Sequence, residues 1–177
     1  MKTLTLLRHA KSDWSDAVPR DFDRPLNERG RRAARTMGAY MAAEGLRFDQ
    51  TVASPAARVR DTLDEVAKPY GEALAPMFDP RVYLASVSTL LDLVRATDAG
   101  VERLLLVGHN PGLEELALEL AADDEDSPMR REVELKYPTA TLAEITLPVE
   151  NWGDVTGGRI VRFVRPRDLD PDLGPNS

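Results

Sequence analysis

The two histidines of the chain stand in similar places, each just beyond a short apolar segment. His9 follows residues 3–7 and His109 follows residues 103–107, with one residue between in each case. If these segments are neighbouring parallel strands, both imidazoles lie at the same edge of the sheet, because parallel strands end together. A neutral imidazole acts as a nucleophile, a base or a hydrogen-bond donor near neutral pH. The pair therefore predicts a reactive site at that edge.

Two arginines are placed to join the histidines. Arg8 directly precedes His9, and Arg58 lies one turn into a helix predicted to begin after Ser54. A guanidinium group matches phosphate oxygens with paired hydrogen bonds and stays charged at any working pH. Two arginines beside two histidines therefore predict a pocket for a phosphoryl dianion. Sequence spacing does not choose between Arg58 and its neighbour Arg60, and either arginine is also compatible with a solvated helix surface.

The elements that would carry these residues alternate between strands and helices. Apolar runs of strand length are each followed by turn residues and then by apolar residues at helical spacing. The predicted strands cover 3–7, 50–53 and 103–107, and the predicted helices cover 28–43, 56–67 and 87–96. This order is typical of parallel strands with crossover helices. It predicts an α/β fold, a three-layer sandwich with a mostly parallel central sheet.

Two junctions contain residues that start helices. In Ser54-Pro55 and in Asn110-Pro111, a capping residue precedes a proline suited to the first helical position. Both helices would begin at the carboxyl end of a strand and direct their positive ends toward one edge. Open parallel sheets bind their ligands at that edge.

The rest of the chain gives weaker signals. Residues 122–136 are highly charged and contain Ser-Pro, so we expect a surface loop. Residues 141–146 and 159–164 alternate between apolar and polar, which predicts two late strands added antiparallel at the sheet edge. The tail, 167–177, is rich in Asp and Pro and is expected to be flexible, which leaves 1–166 as a single domain.

The composition limits the kind of ligand. The 177 residues have a net charge of −7, whereas binding to DNA or RNA needs clustered Lys and Arg, so any anion site must be local. The chain has no cysteine, which excludes disulfides and thiolate chemistry and fits a reducing compartment. The N-terminal apolar run is too short for a signal peptide or a membrane span. We expect a soluble, cytoplasmic protein without a nucleic acid or membrane partner.

Four segments together resemble one family. Residues 7–12 (Leu-Arg-His-Ala-Lys-Ser) resemble the Arg-His-Gly signature of the histidine phosphatase superfamily, with Ala10 in place of the usual glycine. The pentapeptide at 54–58 (Ser-Pro-Ala-Ala-Arg) resembles the second arginine motif, and 108–111 (Gly-His-Asn-Pro) resembles the second histidine motif. The stretch 23–30 (Asp-Arg-Pro-Leu-Asn-Glu-Arg-Gly) and the short chain favour the SixA-like branch, whose members are described as phosphohistidine phosphatases. The resemblance runs to about residue 147 and implies a phosphoglycerate mutase-like fold.

The resemblance also implies a role for each residue of the pocket. Neutral His9 would attack phosphorus, and water would then hydrolyse the phosphohistidine. Arg8, Arg58 and His109 would bind the oxygens of the transferred group. Ser12 is a further candidate for a phosphate contact, although it is equally suited to capping its loop. No cofactor and no metal is expected, since two histidines without nearby carboxylates make a poor zinc site.

The proton donor for the leaving group is the least defined part of the site. Many relatives place an acid after the second arginine motif, and here Asp79 is the candidate, although a turn cap before Pro80 explains it equally well. An imidazole leaves easily once protonated, whereas an alkoxide needs a strong donor. A phosphorylated protein, for example a histidine phosphotransfer domain, is therefore the favoured substrate. We expect the enzyme to be independent of metal ions and to be a monomer or a weak dimer.

Three other functions stay open on the sequence. The nearest is a phosphatase of small sugar or nucleotide phosphates, because such esters also enter an open cleft. A mutase of the phosphoglycerate type shares the same four pocket residues, but it generally has a longer chain. A noncatalytic phosphate-binding adaptor is the third, although loss of function usually removes one of the pocket residues.

Overall fold

The computed structural model describes residues 1–14 and 20–174 of the chain. Six strands form one sheet in the order β3-β2-β4-β1-β5-β6. They are β1 (Lys2–Arg8), β2 (Gln50–Ala53), β3 (Met77–Phe78), β4 (Arg103–Gly108), β5 (Leu142–Leu147) and β6 (Arg159–Val164). The first four strands pair in parallel, whereas β5 runs antiparallel to β1 and β6 antiparallel to β5. The two late strands therefore lie at the sheet edge, as the alternating pattern predicts.

Helices cover both faces of the sheet. They are α1 (Glu28–Ala43), α2 (Ala57–Tyr70), α3 (Val87–Arg95), α4 (Gly112–Leu120), α5 (Pro128–Leu135) and α6 (Pro166–Leu169). One apolar core contains buried residues of α1 and α2, and the other contains buried residues of α3, α4 and α5. The predicted three-layer α/β sandwich with a mostly parallel sheet is confirmed.

The central strands are apolar on both faces because each face packs against helices. In β1, Leu4 and Leu6 belong to the core beneath α3 to α5, and Leu7 belongs to the core beneath α1 and α2. Leu105 and Val107 of β4 also face α1 and α2. Burial on both faces is typical of parallel strands and explains why these segments are continuous apolar runs in the sequence.

The segment predicted as a loop, 122–136, is partly helical. Residues 128–135 form α5, and the hydroxyl of Ser127 accepts a hydrogen bond from the backbone N–H of Arg130 at 3.3 Å. Val133 is fully buried in the core shared with α4. The prediction of a loop is wrong there, because the Ser-Pro pair starts a helix whose charged residues surround one buried apolar position.

The Ser-Pro pair at positions 54 and 55 has the opposite outcome. The helix α2 begins at Ala57, with Ala56 rather than Ser54 in the capping position. The prediction that Ser54 caps this helix is wrong, because the helix begins two residues later than that would require. The Ser54 hydroxyl oxygen accepts a hydrogen bond from the backbone N–H of Ala56 and contacts the ring of His109. At the other junction, α4 begins at Gly112 with Pro111 in the capping position, so the predicted arrangement of Asn110 as the cap and Pro111 as the first helical residue is wrong. The side-chain oxygen of Asn110 still accepts a hydrogen bond from the backbone N–H of Glu114 at 3.2 Å.

The end of the chain packs further than the sequence indicates. After α6, residues Pro171–Leu173 form a 3₁₀ turn, and the side chain of Leu173 is fully buried in the core beside α1. Arg32 donates a hydrogen bond to the carboxylate of Asp170 at 2.9 Å. The sequence predicted a flexible tail over 167–177, but the residues up to 173 pack against the rest of the protein. Residues 175–177 lie outside the described residues. No helix in the described part of the chain is long and apolar enough to cross a membrane.

A close backbone contact fixes the loop that follows His9. The first turn of α1 contains Gly30, where a β-carbon would overlap the carbonyl oxygen of Lys11. The same oxygen accepts a hydrogen bond from the backbone N–H of Asn27 at 3.0 Å. Asn27 also caps α1 by accepting a hydrogen bond from the N–H of Gly30 at 2.7 Å. Only glycine allows this approach, so the start of α1 sets the path of the loop.

Candidate active site

The two histidines meet at the carboxyl edge of the sheet. Strands β1 and β4 are neighbours in parallel register, so His9 and His109 follow paired residues. The centroids of their rings lie 5.2 Å apart, and the residues are only 7% and 4% exposed. The backbone N–H of His9 donates to the carbonyl of Gly108 at 3.1 Å, which ties the two strand ends together. The predicted juxtaposition of the two rings is confirmed.

The ring of His9 has one nitrogen with a lone pair. Its Nδ1 lies 2.7 Å from the carbonyl oxygen of Ala10, which accepts hydrogen bonds and cannot donate them. We therefore assign the proton to Nδ1, which leaves the lone pair on Nε2. Burial lowers the pKa of His9 well below its ordinary value, and the charges of Arg8 and Arg58 act in the same direction. At neutral pH this residue is an uncharged imidazole with a nucleophilic Nε2.

Helix α2 holds the peptide that fixes the His9 ring. The backbone N–H of Ala10 donates to the hydroxyl of Thr62 at 2.9 Å, and that hydroxyl donates to the carbonyl of Arg58 at 2.7 Å. One helix therefore positions both the carbonyl that orients His9 and the second arginine of the site.

Arg58 lines the cleft and is almost completely buried. Its Nη1 donates to the backbone carbonyl of Asp21 at 2.8 Å, and its Nη2 donates to the Asp21 carboxylate at 2.9 Å. The same Nη2 lies 3.3 Å from Nδ1 of His109. Arg60 is placed differently, since its guanidinium stacks over the ring of Phe78 at 4.1 Å. Of the two arginines that the sequence could not separate, Arg58 is therefore the one that belongs to the cleft.

Three arginines around the cleft have a buried nitrogen that lacks a hydrogen-bond partner. In the part of the chain that the structure describes, these atoms are Nε of Arg8, Nε of Arg58, and both Nε and Nη1 of Arg24. Nη1 of Arg8 is anchored to the carbonyl of Tyr137 at 2.9 Å. Buried donors without acceptors are costly, and a bound oxyanion is the natural acceptor for such a group of donors.

Both ring nitrogens of His109 have neighbours. Its Nε2 lies 2.8 Å from the hydroxyl oxygen of Ser54, and its Nδ1 faces Arg58. Burial lowers the pKa of His109 to about 3, and the positive charge of Arg58 contributes in the same direction. His109 is therefore neutral at pH 7.

The cleft above these residues has a volume of about 450 Å³. Its lining contains five cationic side chains, from Arg8, Lys11, Arg24, Arg58 and Lys136. Among the described lining residues only Asp21 is acidic. A chain with a net charge of −7 thus concentrates positive charge at one place, as the prediction of a local anion site requires. Ser12 is buried and also lines the cleft, where the sequence placed it as a candidate.

Asp79, the residue predicted as the acid, is not among the residues that line the cleft, so its position does not support that prediction. Its carboxylate caps a 3₁₀ turn by accepting from the backbone N–H of Arg81 at 2.9 Å, and it pairs with the Arg81 guanidinium at 2.7 Å. The hydrogen bond from Arg81 lowers the pKa of Asp79, so the group is a carboxylate at neutral pH. The turn-capping interpretation is the one the contacts support.

Asp21 is the acidic residue of the cleft that the sequence reasoning missed. Its carboxylate accepts hydrogen bonds from Arg24 at 2.7 Å, from Arg58 at 2.9 Å and from the Tyr83 hydroxyl at 2.7 Å. Burial alone would raise the pKa of Asp21, but the hydrogen bonds from Arg24, Tyr83 and Arg58 hold it well below its ordinary value. The sequence signal that could have identified Asp21 is its position just before the segment 23–30, which resembles the SixA-like branch.

No group of three or more His, Asp or Glu side chains within residues 1–14 and 20–174 is arranged to hold a metal ion. The residues that converge at the cleft are instead donors of hydrogen bonds and positive charge. Such a set is suited to binding an oxyanion beside a neutral imidazole.

Comparison with known proteins places this site in a family. A model of the histidine phosphatase superfamily (branch 1) matches residues 4–82. An uncharacterized protein of Mycobacterium tuberculosis is 32% identical over 164 residues, which cover 91% of this chain and 100% of that protein.

Solved structures share the fold over nearly the whole chain. The structure of SixA from Agrobacterium tumefaciens has a TM-score of 0.79 and 29% identity, covering 93% of this chain and 98% of its own. The protein histidine phosphatase SixA in complex with tungstate shares the fold with a TM-score of 0.77 and 22% identity, over 95% of this chain and 99% of its own. With its Arg-His pair, second arginine and second histidine gathered at one cleft, the chain belongs to branch 1 of the histidine phosphatase superfamily.

Proposed function

We propose that this protein is a phosphatase that forms a covalent phosphohistidine on His9, and that its substrate is a protein that carries phosphohistidine. The observation that carries the proposal is the state of His9, a neutral imidazole with its lone pair on Nε2 inside a cationic cleft. In the first step, a bond forms between Nε2 and phosphorus while the bond from phosphorus to the leaving group breaks. In the second step, a bond forms between a water oxygen and phosphorus while the bond between phosphorus and Nε2 breaks. The attacking water loses a proton to solvent, inorganic phosphate leaves, and His9 becomes neutral again.

Hydrogen-bond donors around His9 would stabilise the oxygens of the transferred phosphoryl group. The buried, unpartnered Nε atoms of Arg8 and Arg58 are available to oxygens whose charge is spread over the transferring group. These donors and the neutral nucleophile are already in place, so we also propose that no metal takes part. Addition of EDTA is expected to leave the activity unchanged.

The acid–base chemistry of the cleft favours phosphohistidine over phosphate esters. Among the described residues that line the cleft, the only carboxyl group is Asp21, and its hydrogen bonds to arginines keep it ionised at neutral pH. An ionised carboxylate is a poor proton donor for an alkoxide leaving group. The imidazole released from phosphohistidine is more easily protonated, and therefore depends less on a strong acid.

The mouth of the cleft favours a substrate of protein size. Trp14 is 76% exposed and Leu84 is 56% exposed, although both are large apolar side chains and both line the cleft. Leu84 also has a φ of 49°, a conformation that leucine seldom adopts and that is often retained for function. A small monoester bound at His9 leaves such side chains in water, whereas a protein surface buries them.

The test is hydrolysis of a histidine phosphotransfer domain labelled with ³²P on its histidine. The wild-type protein is expected to release inorganic phosphate, and His9→Ala is expected to release none. Arg60→Ala is the matched control, since Arg60 faces Phe78 rather than the cleft. Equal rates for wild type and His9→Ala would overturn the nucleophile assignment.

A substrate panel separates the remaining functions. Sugar and nucleotide monophosphates are expected to react much more slowly than the phosphoprotein, and a mutase assay with a bisphosphate primer is expected to give no product. Faster hydrolysis of a small ester would favour the small-molecule alternative. The substitutions Trp14→Ala and Leu84→Ala should lower kcat/KM for the phosphoprotein while leaving phosphoramidate hydrolysis unchanged.

A further inference from the structure

The two ring nitrogens of His109 differ in what they can face. Nε2 lies 2.8 Å from the hydroxyl oxygen of Ser54, which is fully buried. Nδ1 lies 3.3 Å from Nη2 of Arg58, and both of these residues line the cleft. Since Nε2 is covered by Ser54, Nδ1 is the nitrogen of His109 that can reach a bound phosphoryl group.

The contacts of His109 assign the proton of the neutral ring to one of its two nitrogens. A guanidinium group donates hydrogen bonds and cannot accept them, so Nδ1 must present its lone pair to Arg58. The proton of the neutral ring is then on Nε2, which donates to the Ser54 hydroxyl. In this form His109 offers no N–H to the cleft.

A phosphoryl oxygen needs the opposite arrangement. The oxygens of a phosphoryl dianion only accept hydrogen bonds, so His109 contributes to binding only when Nδ1 carries a proton. The ring can gain that proton by becoming a cation or by changing tautomer. Formation of a cation is opposed by burial and by the neighbouring charges of Arg58 and Arg8, which lower the pKa of His109.

We propose that Ser54 lets His109 change tautomer when a phosphoryl oxyanion binds in the cleft. The proton on Nε2 is released to solvent, Nδ1 gains a proton from solvent in the cleft, and the Ser54 hydroxyl turns its own O–H toward Nε2, changing from acceptor to donor. The ring takes up no net proton, and Nδ1–H then donates to the oxyanion. This inference rests on the proposed function, because it requires a phosphoryl group beside His109.

Serine has the hydrogen-bonding capacity that such a change needs. A hydroxyl has one donor and two acceptor lone pairs, so it can serve either tautomer of the ring. The backbone N–H of Ala56 donates to the Ser54 oxygen at 3.3 Å, which holds that oxygen in place in both states. Ser54 therefore acts through His109 as a positioning residue.

The direct test is ¹⁵N NMR of the imidazole rings, with ring-labelled histidine and sodium tungstate as the probe at pH 7. The chain has only two histidines, so four ring nitrogens are seen, and a His9→Gln variant assigns them. Without tungstate, His109 is expected to have its proton on Nε2. With saturating tungstate, we expect the proton on Nδ1 and the lone pair on Nε2.

Other outcomes have distinct meanings. If tungstate shifts the His9 signals while His109 keeps its first tautomer or becomes a cation, the inference is overturned and the phosphatase proposal stands. If tungstate shifts neither ring, the cleft is not an oxyanion site, and both proposals are overturned.

Substitutions of Ser54 provide a functional test. Ser54→Ala is expected to lower kcat/KM about tenfold, about what one lost hydrogen bond contributes, and to abolish the change of tautomer. Ser54→Thr retains the hydroxyl and should restore both properties. Ser86→Ala is the control, because Ser86 caps α3 away from the cleft and should alter stability without altering kcat/KM. Wild-type kcat/KM in a folded Ser54→Ala protein would overturn the inference.

Discussion

Two buried neutral histidines should make the stability of this protein depend on pH in a defined window. In the unfolded chain a histidine titrates near its ordinary pKa of 6.5. In the folded protein burial lowers the pKa of His109 to about 3, and the pKa of His9 is also well below its ordinary value. Below pH 6.5 the unfolded state therefore binds protons that the folded state does not, so stability falls as the pH falls.

The size of the effect follows from proton linkage. Each such histidine costs about 1.4 kcal/mol of unfolding free energy per pH unit below 6.5. Between pH 6.5 and pH 5 the loss is about 1.6 kcal/mol for His109, and His9 adds a loss in the same direction. Even the loss from His109 alone is a measurable part of the roughly 5–15 kcal/mol that stabilises a typical domain. Carboxylates whose pKa is lowered by the fold, such as Asp21 and Asp79, also lose their stabilising effect as the pH falls, but they do so at lower pH than the histidines.

Urea unfolding at pH 7, 6 and 5 measures the effect. The wild-type protein should lose stability steeply over this range, and the double variant His9→Asn, His109→Asn should lose most of that dependence. Arg60→Ala keeps both histidines and should retain the wild-type slope. A flat wild-type free energy of unfolding between pH 6.5 and 5 would show that the histidines are not held neutral by the fold.

Three further substitutions test the positions of individual residues. Arg58→Lys should lower kcat/KM for the phosphoprotein by about a hundredfold or more, because a lysine ammonium cannot reproduce the planar fork of donors that a guanidinium group offers. Arg60→Lys should stay within about twofold, and similar losses in both variants would refute the choice of Arg58. Asp79→Asn should leave kcat/KM within about twofold, and a loss of more than about tenfold would restore it as a catalytic acid. Gly30→Ala should lower the free energy of unfolding in urea by about 2 kcal/mol or more, because the added β-carbon would overlap the Lys11 carbonyl. Gly100→Ala is the control and should be close to neutral, since the nearest atom to its added β-carbon is 4.0 Å away.

The part of the site that the sequence predicted consists of residues at strand ends. Each histidine follows an apolar run, and the parallel pairing of β1 with β4 brings His9 and His109 together. A strand pattern of this kind is local, and the rule that parallel strands end at a common edge turns it into a spatial prediction. The three-layer fold was predictable for the same reason.

The two Ser-Pro pairs show where local reasoning fails. Both have the residues of a helix start, and Ser127 does cap α5, whereas the Ser54 hydroxyl contacts His109. The sequence alone suggested the reverse, because the charged surroundings of Ser127 resembled a loop. The difference is a long-range partner, 55 residues away, which no local pattern contains.

Asp21 was missed for the same physical reason. It contacts Arg58 across 37 residues of chain, and its role depends on the packing of the segment before α1 against α2. Asp79 had the better sequence signal and the wrong location, because the turn after β3 uses its carboxylate locally.

The central claim is that His9 becomes phosphorylated during the reaction, and rapid-quench trapping tests it most directly. The protein is mixed with a ³²P-labelled histidine phosphotransfer domain and quenched in alkali within the first turnover, and the labelled peptide is then identified. We expect the label on the peptide that contains His9, stable to alkali and lost in acid, and absent from His9→Ala. A label that survives acid, or one that lies on a serine or threonine, would contradict the account.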